Sequence, residues 1–83
     1  NMLSVLQQGP RAVGVKQSQR AVSAGKAKLA FVAKDAEDHV TRPFIALCQQ
    51  QSVPVESVPT MAQLGAVCGI HVGCAVAVAL LEE

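Results

Sequence analysis

Lys16, Gln17 and Arg20 place two cations and one amide within five residues. Lysine and arginine bind phosphate, and a glutamine amide can both donate to and accept from a nucleobase edge. A helix that begins near Lys16 would add unpaired backbone N–H groups and the positive end of its dipole. This combination indicates a contact with a polyanion. The alternative is an ordinary solvated helix face.

A second group with possible chemistry consists of Cys68, His71 and Cys74, at intervals of three residues. Such spacing can ligate zinc, but a structural site needs four ligands, and only Cys48 and His39 remain as distant candidates. A thiol nucleophile is the enzymatic alternative, but no third residue that would orient the pair is evident. The sequence also lacks P-loop and dinucleotide-binding motifs. We therefore expect a protein that is not an enzyme and has no catalytic residues, metal site or cofactor.

Charge is distributed unevenly along the 83 residues, although the net charge is only +1. Residues 1–34 contain six basic residues and no acid, which favours a polyanion partner, although short chains are often uneven in charge. Three cysteines, an odd number, argue against a secreted disulfide scaffold. The longest apolar stretch, residues 74–81, is shorter than the roughly 20 residues that span a bilayer. We therefore expect a cytoplasmic protein without a membrane segment.

The apolar pattern predicts alternating helices and strands that would position these residues. Strands are expected at residues 12–15, 29–33, 53–55 and 74–81, and helices at residues 2–8, 16–24 and 61–67. A further helix, expected between the second and third strands, carries Val40, Phe44, Leu47 and Cys48 on one face. We expect Asp35 to cap that helix, Pro43 to separate its short first turn from its main part, and Thr60 to cap the last helix. This order predicts a sheet with helices on both faces.

Three segments resemble the L7Ae-type family of kink-turn-binding ribosomal proteins, most closely its small bacterial YbxF-like members. They are residues 14–21, residues 27–35, and residues 64–73 with the Val/Ala strand that follows. The resemblance implies an α/β protein, a three-layer α/β/α sandwich with a central, mostly four-stranded mixed sheet. Residues 2–83 are expected to form one domain, with Asn1 interpreted as a cloning remnant. The family's usual pattern is Gly-x-Asn-Glu-x-x-Lys; here Gly14 matches, and Lys16, Gln17 and Arg20 replace the other three.

Family members bind kink-turns, which are sharply bent RNA helices with tandem sheared G·A pairs beside a bulge. The resemblance therefore implies a monomeric RNA-binding protein whose target is ribosomal or regulatory RNA, with the ribosome as an expected partner. The implied RNA contacts are Gly14, Lys16, Gln17, Arg20, Lys34, Ile70, His71, Val72 and Gly73. For Ile70 and Val72 the alternative is packing at the edge of the core, and His71 could be an ordinary loop residue. The second functional hypothesis is a protein-interaction adaptor of the same fold that does not bind RNA.

Overall fold

The computed structural model describes residues 2–82, in which helices and strands alternate as the sequence predicts. In chain order the elements are α1 (Met2–Gln8), β1 (Arg11–Val13), α2 (Val15–Ser23), β2 (Ala27–Ala33), α3 (Asp38–Gln50), β3 (Val55–Val58), α4 (Met61–Val67) and β4 (Val76–Leu80). Each predicted element is present, with its ends shifted by at most three residues. None of the helices within residues 2–82 has the length and apolar character that crossing a membrane requires.

The four strands form one mixed sheet in the order β1-β4-β2-β3. β4 is antiparallel to both β1 and β2, whereas β2 and β3 are parallel. β3 lies at an edge of the sheet, where Pro54, directly before it, is tolerated. With α1 and α4 on one face and α2 and α3 on the other, the structure confirms the predicted α/β/α sandwich.

β2 supplies the centre of both halves of the core. Its residues 29–33 are all buried, which confirms that this continuous apolar run is covered on both faces. Side chains alternate along a strand, so Phe31 joins the α1/α4 layer and Val32 the α2/α3 layer. The cysteines are divided in the same way. Cys48 lies in the α2/α3 layer, and Cys68 and Cys74 lie in the α1/α4 layer.

α3 differs from the expectation that Pro43 would divide it. The helix is continuous from Asp38 to Gln50, and Pro43 lies inside it. The proline has no N–H to donate to the carbonyl of His39, four residues earlier. Both residues are exposed, so water can bond to that carbonyl in place of the missing N–H.

The prediction that Asp35 caps α3 is wrong. The N-cap of α3 is Glu37, without a side-chain hydrogen bond. Oδ1 of Asp35 instead accepts a hydrogen bond, 2.8 Å long, from the backbone N–H of Met61, 26 residues away at the start of α4. The predicted cap of α4 is confirmed, because Oγ1 of Thr60 accepts from the N–H of Gln63 at 3.0 Å. Two side chains from different parts of the chain thus satisfy the first N–H groups of α4.

Candidate nucleic-acid interface

The carboxyl ends of β1 and β2 and the amino end of β4 meet at one end of the sheet, which we call the site end. The N–H of Gly14, just after β1, donates to the carbonyl of Val76 at 3.1 Å. The N–H of Ala33 donates to the carbonyl of Ala75 at 2.9 Å, and Lys34 follows directly. The topology therefore brings residues 14–17, Lys34 and the loop that precedes β4 to the same end of the molecule.

Gly14 joins β1 to α2 in a conformation that favours glycine. Its φ of 90° lies in the region that L side chains rarely adopt, while an added Cβ would meet nothing within 4 Å. The first backbone hydrogen bond of the helix runs from the N–H of Ser18 to the carbonyl of Gly14 at 3.0 Å. The N–H groups of residues 15–17 therefore have no partner within the helix, and they lie at the site end.

The polar side chains of α2 divide between the core and solvent. Ser18 is fully buried, and its Oγ donates to the carbonyl of Ala12 at 3.5 Å. Lys16, Gln17 and Arg20 are exposed. Within residues 2–82, these three side chains take part in neither an ion pair nor a hydrogen bond. Their polar ends are therefore available to an external ligand.

Lys34 supplies a further cation at the site end. Its backbone N–H donates to the carbonyl of Val58 at 2.8 Å, which fixes its position at the end of β2. The side chain is exposed. In the part of the chain that the structure describes, ion pairs join Glu37 to His39 and Asp38 to Arg42, both around the start of α3. Within residues 2–82, the charge of Lys34 therefore has no ion-pair partner.

Arg11, counted among the basic residues of the first half, has a structural role instead. Its Nε donates to the carbonyl of Cys68 at 3.2 Å, at the end of α4. Its Nη1 donates to the carbonyl of Leu6 at 3.3 Å, in the last turn of α1. A cation at two helix C-termini satisfies free carbonyls and interacts favourably with both helix dipoles. The sequence carried no local signal of the bond to Cys68, which lies 57 residues from Arg11.

The loop at residues 70–73 lies on α4. The N–H of Ile70 donates to the carbonyl of Gly65 at 3.0 Å, and the N–H of Cys74 donates to the carbonyl of Met61 at 3.1 Å. Ile70 is half-buried and packs against the α1/α4 layer of the core. Val72 is 70% exposed. The two apolar loop residues thus differ: Ile70 packs at the core edge, and Val72 faces solvent.

Two glycines allow the loop to approach α4 this closely. A Cβ added to Gly65, inside the helix, would overlap the carbonyl oxygen of Val72. A Cβ added to Gly73 would lie 3.1 Å from Cβ of Met61, which is tight. Gly65 is not among the RNA contacts predicted from the sequence. A glycine inside a helical pattern is the signal that points to a close backbone approach.

Cys68 and Cys74 flank the loop and contact each other. Burial is the largest effect on both thiols: it raises the pKa of Cys68 and, together with the nearby Cys68, raises that of Cys74 to about 12. The hydrogen-bonding interaction between the two thiols adds to the rise at Cys74 and opposes it at Cys68. A hydrogen bond from the backbone of Gly14 lowers the pKa of Cys74, so the loop and the start of α2 meet at this thiol.

The zinc alternative does not gain a third ligand from this arrangement. Cys48 lies in the α2/α3 layer, so the sheet separates it from Cys68 and Cys74. His71 is exposed, whereas both neighbouring thiols are buried. Among residues 2–82, no three histidine, cysteine or acidic side chains are grouped as metal ligands would be.

The sequence is similar to a known protein family and to RNA-binding proteins of bacteria. The family model described as "Ribosomal protein L7Ae/L30e/S12e/Gadd45 family" matches residues 3–83. An RNA-binding protein of Caldanaerobacter subterraneus subsp. tengcongensis is 38% identical over 73 residues, which are 88% of this chain and 89% of that protein. The RNA-binding protein YbxF of Geobacillus stearothermophilus is 42% identical over 78 residues, 94% of each chain.

Two solved structures share the fold. A protein of unknown function from Bacillus halodurans C matches with a TM-score of 0.82 and 26% identity, over 93% of this chain and 81% of that chain. The 15.5kD RNA binding protein of Giardia lamblia matches with a TM-score of 0.90, over 99% of this chain and 72% of that chain. Its identity of 23% makes this a likeness of fold.

Proposed function

Because this chain belongs to the ribosomal protein L7Ae/L30e/S12e/Gadd45 family, we propose that it binds RNA by recognising kink-turns in ribosomal or regulatory RNA. The observation that carries the proposal is the convergence at the site end. There the exposed, unpaired Lys16 and Gln17 begin a helix, beside a loop that exposes Val72. The proposed role is binding without catalysis, by one chain for each kink, in the cytoplasm and with the ribosome as a proposed partner.

The start of α2 would hold the sharply bent backbone of the RNA. Lys16 and the free N–H groups of residues 15–17 suit a phosphate, because the helix dipole and the ammonium attract the same charge. Gln17 has both a donor and an acceptor, so its amide can bond to the exposed edges of sheared G·A pairs. A regular A-form major groove is too narrow for such contact, and a kink widens it locally. Arg20, about one turn further along α2, would reach a neighbouring phosphate or a guanine O6.

The loop at residues 70–73 would hold the bulge. Val72 offers an apolar surface on which an unstacked base can pack, and His71 is exposed beside it to stack or donate a hydrogen bond. Gly73 would contribute by letting the loop backbone lie close to Met61, which holds the loop on α4. Ile70 would contribute by anchoring the loop to the core. Lys34 would add a phosphate contact.

Binding to a kink-turn RNA, compared with the same duplex after its G·A pairs are replaced by Watson–Crick pairs, tests this proposal. The comparison is made at two salt concentrations, because phosphate contacts weaken with salt and shape recognition does so less. We expect a strong preference for the kink-turn at both. Equal, salt-sensitive binding to both RNAs would leave only a generic basic surface. Binding to neither would favour the protein-interaction adaptor.

A further inference from the structure

Asp35 connects two parts of the site end that are far apart in the sequence. It follows Lys34 directly, and its Oδ1 accepts from the N–H of Met61 at 2.8 Å. The carbonyl of Met61 in turn accepts from the N–H of Cys74 at 3.1 Å, and a Cβ on Gly73 would lie only 3.1 Å from Cβ of Met61. A short chain of contacts therefore runs from the end of β2, through the start of α4, to the loop.

We propose that Asp35 is a positioning residue for RNA recognition: its carboxylate fixes α4, and through Met61 the 70–73 loop, relative to Lys34 and the start of α2. The inference rests on the proposed function, in which a rigidly bent RNA meets both surfaces at once. When two contacts must be made together, a preorganised spacing lowers the cost of binding.

The negative charge of Asp35 and its proposed positioning role should have opposite effects on RNA affinity. An exposed carboxylate next to Lys34 repels phosphate, so its charge by itself opposes RNA binding. Within residues 2–82, Asp35 belongs to no ion pair, and its recorded partner is the N–H of Met61. If Asp35 were only a surface charge, removing it would strengthen RNA binding. A positioning role requires the opposite when the hydrogen-bond acceptor is lost.

Two substitutions separate charge from position. Asp35→Ala removes both the charge and the acceptor, and we expect kink-turn affinity to fall on the order of fivefold, the change that corresponds to one hydrogen bond. Affinity for the Watson–Crick duplex should not fall with it. Asp35→Asn keeps an acceptor oxygen and removes the charge, and we expect kink-turn affinity at or above that of the unmodified protein. If both variants bind kink-turn RNA more tightly, Asp35 is a surface charge and the proposal is overturned.

Thr60→Ala is the matched control for the stability of α4. It removes the other side-chain hydrogen bond at the same helix end, at 3.0 Å, but leaves the connection from Asp35 to Met61 intact. We expect it to lower the melting temperature about as much as Asp35→Ala and to retain kink-turn selectivity. If Thr60→Ala loses as much selectivity as Asp35→Ala, a weaker α4 explains the effect and the positioning role is overturned.

Amide chemical shifts of Gly73 and Cys74 in the RNA-free variants decide the role of Asp35 independently of RNA binding. The proposal expects both to change in Asp35→Ala and to return in Asp35→Asn. Unchanged amides in both variants would overturn it. If the unmodified protein shows no preference for a kink-turn, the proposed function fails, and these amide shifts still decide whether Asp35 positions the loop.

Discussion

The two surfaces that meet at the site end are held in different ways. Residues 14–20 start a nine-residue helix whose Ser18, Ala21 and Val22 are buried against the sheet. The loop at residues 70–73 has no regular secondary structure and is held by backbone hydrogen bonds to α4 and by the half-buried Ile70. The first surface presents charge and amide groups from a fixed scaffold. The second presents an apolar side chain from a backbone whose path depends on the helix beneath it.

This difference assigns different tasks to the two surfaces. Substitution of an exposed residue in the helix should remove one contact and leave the backbone in place. Substitution beneath the loop should move the whole loop, although the altered residue touches no RNA. We therefore propose that α2 supplies general affinity for RNA and contacts the base edges, whereas the loop recognises the bulge. The predictions below test that division, beginning with the largest expected effect.

Gly65→Ala should have the largest effect, because the added methyl group overlaps the carbonyl of Val72. Helix propensity by itself would stabilise the protein by about 1 kcal/mol, whereas overpacking costs about 1–3 kcal/mol. We expect a net loss of stability in denaturant unfolding, and loss of kink-turn selectivity because the loop moves. Affinity for plain duplex should be retained, since α2 is untouched.

Ala66→Gly controls for propensity, because Ala66 is the exposed neighbour of Gly65 in α4. It should cost about 1 kcal/mol of stability and leave selectivity intact. A Gly65→Ala variant that is more stable and equally selective would show that the loop adapts freely. That result would contradict the proposal that the path of the loop depends on α4.

Gln17→Ala should reduce the preference for the kink-turn by about 1–3 kcal/mol, the range measured for good contacts to base edges. Binding to plain duplex should change little, because an amide contributes no charge to phosphate binding. The measurement is the ratio of the two dissociation constants. Gln49→Ala, an exposed glutamine near the far end of α3, is the control and should leave that ratio unchanged. If the ratio is also unchanged in Gln17→Ala, Gln17 does not recognise base edges.

Lys16→Ala should weaken binding to every RNA and lower the slope of log affinity against log salt by about one. Lys26→Ala removes the same charge at the opposite end of the sheet, where Lys26 adjoins Leu81. That control should leave the slope nearly unchanged. Equal effects of the two variants would mean that RNA is attracted by net charge and not by the site end.

Alkaline pH tests the joint between the two surfaces, where the thiol of Cys74 contacts Cys68 and the backbone of Gly14. Burial, with Cys68 nearby, raises the pKa of Cys74 to about 12, compared with about 8.5 for a free thiol. The folded state thus retains a proton that the unfolded state releases. Stability is complete below about pH 8.5 and falls as the pH rises towards about 12, by at most about 1.4 kcal/mol per pH unit.

Denaturant unfolding between about pH 8 and pH 10 measures this slope. The stability of Cys74→Ala should fall less steeply with pH than that of the unmodified protein, because the thiol whose pKa is raised to about 12 is gone. Burial also raises the pKa values of Cys48 and Cys68, but both of these thiols are present in the two proteins. Equal slopes would mean that Cys74 is not held in a buried, protonated state at this joint.

The elements of the fold could be predicted because their signals are local. The apolar run at residues 29–33 identified a strand covered on both faces, and Gly25, with φ of 72°, follows α2 as expected of a glycine that ends a helix. The expected strand at residues 12–15 ended too late, because Gly14 already turns the chain into α2. Local pattern shows that a glycine ends one element, but not on which residue the next begins.

The connections within the candidate site could not be predicted, because each joins residues that are distant in sequence. The acid-rich segment after β2 favoured a local cap, and Asp35 instead bonds to Met61, 26 residues away. Arg11 was counted as an available cation, and its guanidinium bonds to the carbonyl of Cys68, 57 residues away. For Asp35 the side-chain type correctly indicated a helix start, and only the fold determined which one.

Val72→Ala should have the smallest effect and is the sharpest test of the loop's apolar role. Val72 is 70% exposed, so its truncation should leave stability within about 0.5 kcal/mol of the unmodified protein. Losing two methyl groups from a contact with a bulge base should weaken kink-turn binding by about 1 kcal/mol, while the salt slope stays the same. Leu81→Ala, an apolar residue 52% exposed at the opposite end of the sheet, is the control and should not alter binding. The combination of reduced affinity and unchanged salt slope distinguishes Val72 from Lys16, and a lower slope in Val72→Ala would mean that the loop, too, acts by placing charge against phosphate.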